Sequence, residues 1–180
     1  MKKYSTHLKV GDKAPIIEGK EQSGLLLNSL DLLELGKLVV VFYRGVWCPF
    51  CNEHLKQIET EFLKLLSKNA QILLVTPEQP PFLNKSILLS DAHYPIISDD
   101  NYEIMNSFGV SVEVTEENFK DFFIKKSMIE VIKDHNRDYD NLILPIPATF
   151  LISQSNVIEY IHYNMDFKNR ISVNDVIKKL

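Results

Sequence analysis

The chain has 180 residues with 45% hydrophobic and 24% charged positions, ordinary values for a soluble globular protein and a length that suits one domain over residues 1–180. Its net charge of −4, with no run of like charges, argues against nucleic acid or an anionic membrane as the main partner. Two cysteines exclude a disulfide framework, and no apolar run approaches the ~20 residues that span a bilayer.

The opening "MKKYSTHLKV" has two lysines but no apolar region behind them, so no signal peptide is expected and the cytoplasm is the expected location. "VGDKAPIIEG" carries Gly11, Pro15 and Gly19 and reads as a loop or short edge strand. "LLLNSLDLLELGK" predicts a short strand and then a helical turn over Ser29–Leu35. "LVVVFY", residues 38–43, is a continuous β-branched and aromatic run that suits a strand covered on both faces. Arg44 and Gly45 end it. Pro49 then stands where a first helical residue is favoured to be proline. Downstream, Phe50, Leu55, Ile58, Phe62, Leu65 and Leu66 recur at helical spacing, which predicts an amphipathic helix of about five turns.

"QILLVT" is a second buried-type strand, closed by "PEQPP". A short helix is expected over residues 82–92, a third strand at "YPIISD", and a further short helix at "DNYEIMNSFG" with Gly109 as its left-handed cap. Thr115 is expected to cap a helix over residues 116–134, with Phe119, Phe122, Phe123, Ile129 and Ile132 on its apolar side. "LILPIPATFLIS" holds a strand at Ala148–Ile152, "SQSN" turns the chain, and "VIEYIHY" returns as the next strand. "SVND" starts a last helix running to Leu180, with Ser172 and Asp175 in capping-box spacing. This alternation predicts an α/β protein with a mixed central β-sheet flanked by helices.

The chemistry concentrates in "FYRGVWCPFCNEH". With Pro49 at the first helical position, Cys48 falls at the N-cap and Cys51 one turn in. Unpaired N–H groups and about half a positive charge at a helix start favour a thiolate, the reactive form of cysteine. Once one sulfur is oxidised or joined to a substrate sulfur, the other can attack it across one turn. A zinc site needs four ligands, whereas there is no second C-x-x-C and His54, His93, His135 and His162 are scattered, so no metal is expected. No G-x-G-x-x-G or G-x-x-x-x-G-K-[ST] motif is present, so no organic cofactor is expected. Two structural cysteines meeting at this spacing by chance is the reading to beat.

Arg44, four positions before Cys48, offers a charge for a thiolate or a peroxide oxygen, or is a solvated strand end. Trp47 flanks the site or packs, with packing favoured. His54 reads as solvated, and Glu78 as a loop carboxylate rather than a proton carrier. Pro147, just ahead of a strand, suits a cis bond that would bring backbone polar groups beside the cysteines.

Together "VGDKAP", "VVVFYRGVWCPFC" and "LPIPATFLI" resemble the thioredoxin-like superfamily, and within it the peroxiredoxin-like branch of the alkyl hydroperoxide reductase and thiol-specific antioxidant family. The resemblance covers residues 10–180 and is least distinctive over 111–140. "DFKNR", residues 166–170, resembles the family's tail motif, with no role assigned to Asp166 or Arg170. The resemblance implies a thioredoxin-like fold, peroxidase or disulfide-exchange activity, and a cis proline at Pro147. Typical peroxiredoxins carry Pro, then Thr or Ser, then the peroxide-reactive Cys. Counted from Phe42 and Tyr43, those columns fall on Arg44, Cys48 and Cys51, so two of the three pocket positions depart from the pattern. Thioredoxins use the first cysteine, here Cys48.

The expected function is therefore a thiol-dependent peroxidase, an oxidoreductase reducing hydroperoxides through the Cys48–Cys51 pair and restored by a thioredoxin-type reductant. The alternative is a thiol–disulfide oxidoreductase acting on protein disulfides. A third reading is a thioredoxin-fold binding protein with an inert or regulatory pair. Arg44, Trp47 and Pro147 are the expected substrate-binding residues, and a homodimer is compatible with all three readings. The N-cap position favours Cys48 as the first to attack, since Cys51 faces Leu55 and Ile58 and is expected to be more covered.

Overall fold

The computed structural model describes residues 6–120, 122, 124–137, 141–166 and 168–180. β1 (Glu18–Lys20) and β2 (Leu26–Asn28) form a small antiparallel ladder, and Asn28 caps α1 (Ser29–Leu35) by accepting the Leu30 N–H. β3 (Lys37–Phe42), α2 (Pro49–Ser67), β4 (Ala70–Thr76), α3 (Pro80–Ser90) and β5 (Ile96–Ser98) follow as two parallel crossovers. Next come α4 (Glu103–Ser107), β6 (Ser111–Val114), α5 (Ile129–His135), β7 (Leu142–Pro145), β8 (Ala148–Ile152), β9 (Ile158–Tyr163) and α6 (Val173–Ile177).

The central sheet has the order β5-β4-β3-β8-β9, parallel on the β5 side of β3 and antiparallel on the β9 side. The mixed sheet expected from the alternation of elements is thus present. β3 lies in its middle, so Val39 and Val41 point to one face and Leu38, Val40 and Phe42 to the other. That two-sided burial explains an apolar run without alternation. α2, α3 and α6 cover the first face, with Leu55, Ile58, Leu65, Leu83 and Val176 in its core. α1, α4 and the chain before β1 cover the second, centred on Phe42, Phe108 and Phe150.

Those three rings meet edge to face or tilted, with centroids 5.0 to 5.9 Å apart. Phe150→Ala removes the ring shared by two of the contacts and leaves a cavity in a fully buried layer. It is expected to lower stability by about 3–5 kcal/mol, read as a urea midpoint. A loss below about 1 kcal/mol would show that the layer collapses to fill the gap.

Two sequence expectations are corrected. The helix expected over residues 116–134 forms only at its end, as a 3-10 turn at Lys126–Met128 leading into α5. Asn118 is the cause: its Oδ1 accepts the Thr115 N–H (2.7 Å) and its Nδ2 donates to the Glu113 carbonyl (2.9 Å). These bonds close a local turn and compete with helix start at Thr115, as short amide side chains do. Phe119 and Phe122 still turn inward against Ile124, Ile132, Leu142 and Leu144, while Phe123 lies outside the described residues. This covering segment is backed by a two-stranded β6–β7 sheet whose strands the sequence pattern did not reveal.

The second correction concerns Pro147. No cis peptide bond occurs among the described residues, so the Ile146–Pro147 bond is trans. The chain runs from β7 into β8 with only Ile146 and Pro147 between them, and Ile146 N–H is held by the Val110 carbonyl (2.8 Å). An extended passage of this kind accepts the trans bond that X-Pro prefers by about 0.5–1 kcal/mol. The fold rests on its sheet order and crossovers, not on that bond.

Most other local readings agree with the structure, but the last helix, expected to run to Leu180, ends at Ile177. Gly109 has φ +65°, and the Val110 N–H returns to Met105 O (3.0 Å). Ser172 caps α6 by accepting the Asp175 N–H (3.1 Å) and donates its hydroxyl to the Asp175 carboxylate (2.8 Å). No helix among the described residues is long and apolar enough to cross a membrane.

Candidate active site at the start of helix α2

β3 delivers Tyr43 and Arg44 to one end of the sheet, and a tight turn carries the chain into α2. Gly45 has φ +140°, and a Cβ there would lie 2.6 Å from Glu78 Cδ and 2.6 Å from Trp47 Nε1. Only glycine fits. The Cys48 N–H closes the turn on the Gly45 carbonyl (3.1 Å), Asn52 Nδ2 donates to Val46 O (2.8 Å), and Val46 N–H donates to Glu78 Oε2 (2.9 Å). Cys48 is the N-cap in extended conformation and Pro49 is the first helical residue, as the sequence predicted. The Cys48 sulfur makes no capping bond, however. It turns toward Arg44 and Cys51.

Both thiols are free and in the core, Cys48 at 1% and Cys51 at 0% exposure. Cys51 is the more deeply buried of the two, as expected, though by little. What differs more is their surroundings. Arg44 Nη2 reaches Cys48 Sγ (3.1 Å), while Arg170 Nη2 reaches Cys51 Sγ (3.3 Å) from the far end of the chain. The hydrogen bond that Cys48 gives to Cys51 pushes its own thiol up, burial adds to this, and Arg44 opposes it. Burial acts against ionisation of Cys51 too. The hydrogen bond from Cys48 and the charges of Arg170 and Arg44 outweigh it and hold Cys51 well below the usual thiol range. Hydrogen bonding and charge thus favour the negative charge on Cys51 over Cys48. This direction is opposite to the expectation that Cys48 attacks first.

His54 is buried, not solvated as its place past Cys51 suggested. Burial, followed by the charge of Arg170, lowers its pKa to about 3. A neutral imidazole can accept from Arg170, whose Nη1 lies 3.5 Å from His54 Nδ1, and so helps to orient the guanidinium on Cys51. Arg44 is 4% exposed, donates Nη1 to the Phe122 carbonyl (2.8 Å), and lies 5.2 Å over the Trp47 ring. Trp47 packs against two core clusters, matching the packing reading.

Pro147 is buried one residue beyond the Phe42–Ala148 pair, at the sheet end that delivers Arg44. Its carbonyl accepts from Asn164 N–H (3.3 Å), so that polar group is engaged toward the end of β9.

Glu78 lies in the loop after β4, as expected, and is fully buried there. Its Oε1 lies 2.7 Å from His135 Nδ1. Burial pushes its carboxyl up, and the hydrogen bonds from His135 and Val46 act in the opposite direction. Arg170, His135 and the burial of Glu78 are what sequence reasoning missed. The tail motif ending at Arg170 was the one available signal, and it carried no role. Among the described residues no group of three or more His, Cys, Asp or Glu side chains gathers as metal ligands would.

Comparison with known proteins shows the chain's family and the likeness of its fold. The family model described as the AhpC/TSA family matches residues 10–161. No curated protein sequence matches the chain. Among solved structures, peroxidoxin BcpB from Mycobacterium tuberculosis superposes with a TM-score of 0.73 at 17% identity, covering 96% of both chains. A mutant PrxQ from Xylella fastidiosa gives 0.74 at 15% identity over 97% of this chain and 96% of its own. The yeast mitochondrial 1-Cys peroxiredoxin gives 0.69 at 14% identity over 94% and 73%. At these identities the likeness is one of fold, a thioredoxin-like mixed sheet flanked by helices.

Proposed function

Because the chain belongs to the AhpC/TSA family, and with it to the peroxiredoxin-like oxidoreductases of the thioredoxin-like superfamily, we propose that it is a thiol-dependent peroxidase in which Cys51 attacks and Cys48 resolves. The observation that carries this reading is the buried cysteine pair held between Arg170 and Arg44. Two cations beside a desolvated sulfur supply charge where a peroxide's oxygen–oxygen bond must be polarised, at a place where water screens little.

The Cys51 thiolate attacks one peroxide oxygen of ROOH. An S–O bond forms, the O–O bond breaks, and the leaving RO⁻ takes a proton to become ROH. Cys51 is then a sulfenic acid. The Cys48 sulfur, one turn away, attacks Cys51: an S–S bond forms, the S–O bond breaks, and the oxygen leaves as hydroxide. In sum, thiolate, thiol and ROOH give disulfide, ROH and hydroxide, which solvent neutralises. A dithiol of the thioredoxin type attacks the disulfide and carries away the oxidising equivalents as its own disulfide. A reducing compartment such as the cytosol supplies that partner.

The test is turnover. With thioredoxin, thioredoxin reductase and NADPH, the protein is expected to consume hydrogen peroxide or an organic hydroperoxide catalytically. Insulin disulfide reduction without peroxide turnover would instead assign it to protein thiol–disulfide exchange.

A further inference from the structure

Glu78 is a buried ionisable group with no part in the steps above. It sits just past β4, directly beneath the turn that leads into the cysteines. We propose that Glu78 is a positioning residue for the cysteine pair, its carboxyl tying the Gly45–Trp47 turn on one side to His135 of the covering segment on the other. The inference deepens the peroxidase reading and rests on it.

Three observations carry it. First, Glu78 divides its two oxygens between the two sides: Oε2 accepts the Val46 N–H at 2.9 Å, and Oε1 meets His135 Nδ1 at 2.7 Å. Second, the turn lies flat on the carboxyl, since a Cβ on Gly45 would come within 2.7 Å of Glu78 Oε1. The residues that flank this turn are Arg44 and Cys48, so the height of the turn sets the 3.1 Å contact between them. Third, both partners of the tie are themselves fixed. The His135 ring stacks on Phe82 at 3.8 Å, its carbonyl accepts the Gln79 N–H (2.8 Å), and Ser98 Oγ donates to the Glu78 carbonyl (2.6 Å). A side chain held this way transmits position.

The charged surroundings are few. His135 faces Glu78 from α5, and Cys51 from α2 with a charge of like sign. Asp99, beside β5, turns its carboxylate to the Ile104 and Met105 amides. The covering segment is also tied to the turn by Arg44 on Phe122 O. Glu78 and Arg44 therefore clamp one segment over one turn from two places.

The experiment compares Glu78→Gln with Glu78→Ala. Both lack the charge, so a difference between them reads position. Gln can keep both bonds, accepting from Val46 and donating to a His135 tautomer with a free Nδ1. The readouts are the ultraviolet titration of the Cys51 thiolate, the emission of Trp47 (the one tryptophan of the chain) in the reduced protein, and the rate of oxidation by peroxide. Each is measured where circular dichroism shows the variant folded. Relative to Gln, the Ala variant is expected to titrate about one pH unit higher, to emit further to the red, and to react about tenfold more slowly. If the two variants titrate, emit and react alike, and differ only in melting temperature, Glu78 is structural and the inference falls. Should Glu78→Ala not fold, His135→Ala against His135→Asn severs the same tie from the other side and is read in the same way. Titration and emission do not need peroxide turnover, so an inactive parent protein would sink the peroxidase reading and leave the answer on Glu78 standing.

Discussion

Cys51→Ser is expected to abolish peroxide consumption, by a factor of roughly 10³ or more, as removal of a nucleophile does. Cys48→Ser is expected to lose thioredoxin-dependent turnover but to keep a single oxidation event. The asymmetry follows from where charge is favoured. Negative charge is favoured on Cys51 because the Cys48 hydrogen bond and the Arg170 guanidinium both act on it. A serine hydroxyl at position 48 can donate in place of the thiol, so the Cys51 thiolate persists and still attacks. What is lost is the sulfur that displaces the sulfenic oxygen, leaving the acid to accumulate. A sulfenic-acid trapping reagent followed by mass spectrometry should label Cys51 in Cys48→Ser and nothing in Cys51→Ser. Label on Cys48 in the Cys51→Ser protein would restore Cys48 as the leading residue and bring the chain closer to thioredoxin chemistry.

Arg170→Met is expected to move the acid limb of the peroxide rate to higher pH by about 1–3 units, the size of shift that a cation beside an acid produces. The direction is set by which form the cation favours. Arg170 stabilises the thiolate, so with it present the thiolate survives to lower pH, and without it more of Cys51 is protonated at neutrality. The thiolate absorbance should move with the rate. His54 then loses the guanidinium that faces it but stays neutral by burial, so it adds no second step near neutrality. Unchanged titration in Arg170→Met would mean that Arg44 and the Cys48 hydrogen bond alone hold the thiolate. Arg170→Lys is expected to fall between the two, since an ammonium keeps the charge but not the planar fork that reaches Cys51 and His54 together.

Much of the fold is legible in the order of the amino acids. Residues 38–43 are apolar at every position because β3 is covered on both faces, and the helical spacing from Leu55 to Leu65 marks the face that α2 buries. Pro49 marks the helix start to the residue. The covering segment shows the limit of such reading. Its apolar spacing is helical, yet the Asn118 side chain offers the backbone a competing turn and the chain follows it.

Sequence alone specifies where most strands and helices lie, and that two thiols stand one turn apart at a helix start behind a buried strand. Those properties depend on neighbours within a few positions, where apolar period, proline and glycine act directly on the backbone. Which sulfur holds the charge is a property of the folded chain. Arg170 lies 119 positions from Cys51 and His135 lies 57 from Glu78, and no local pattern records either approach. A thiolate's stability is set by charge and burial over a few ångströms of space, and the fold alone determines which distant residues come within that range.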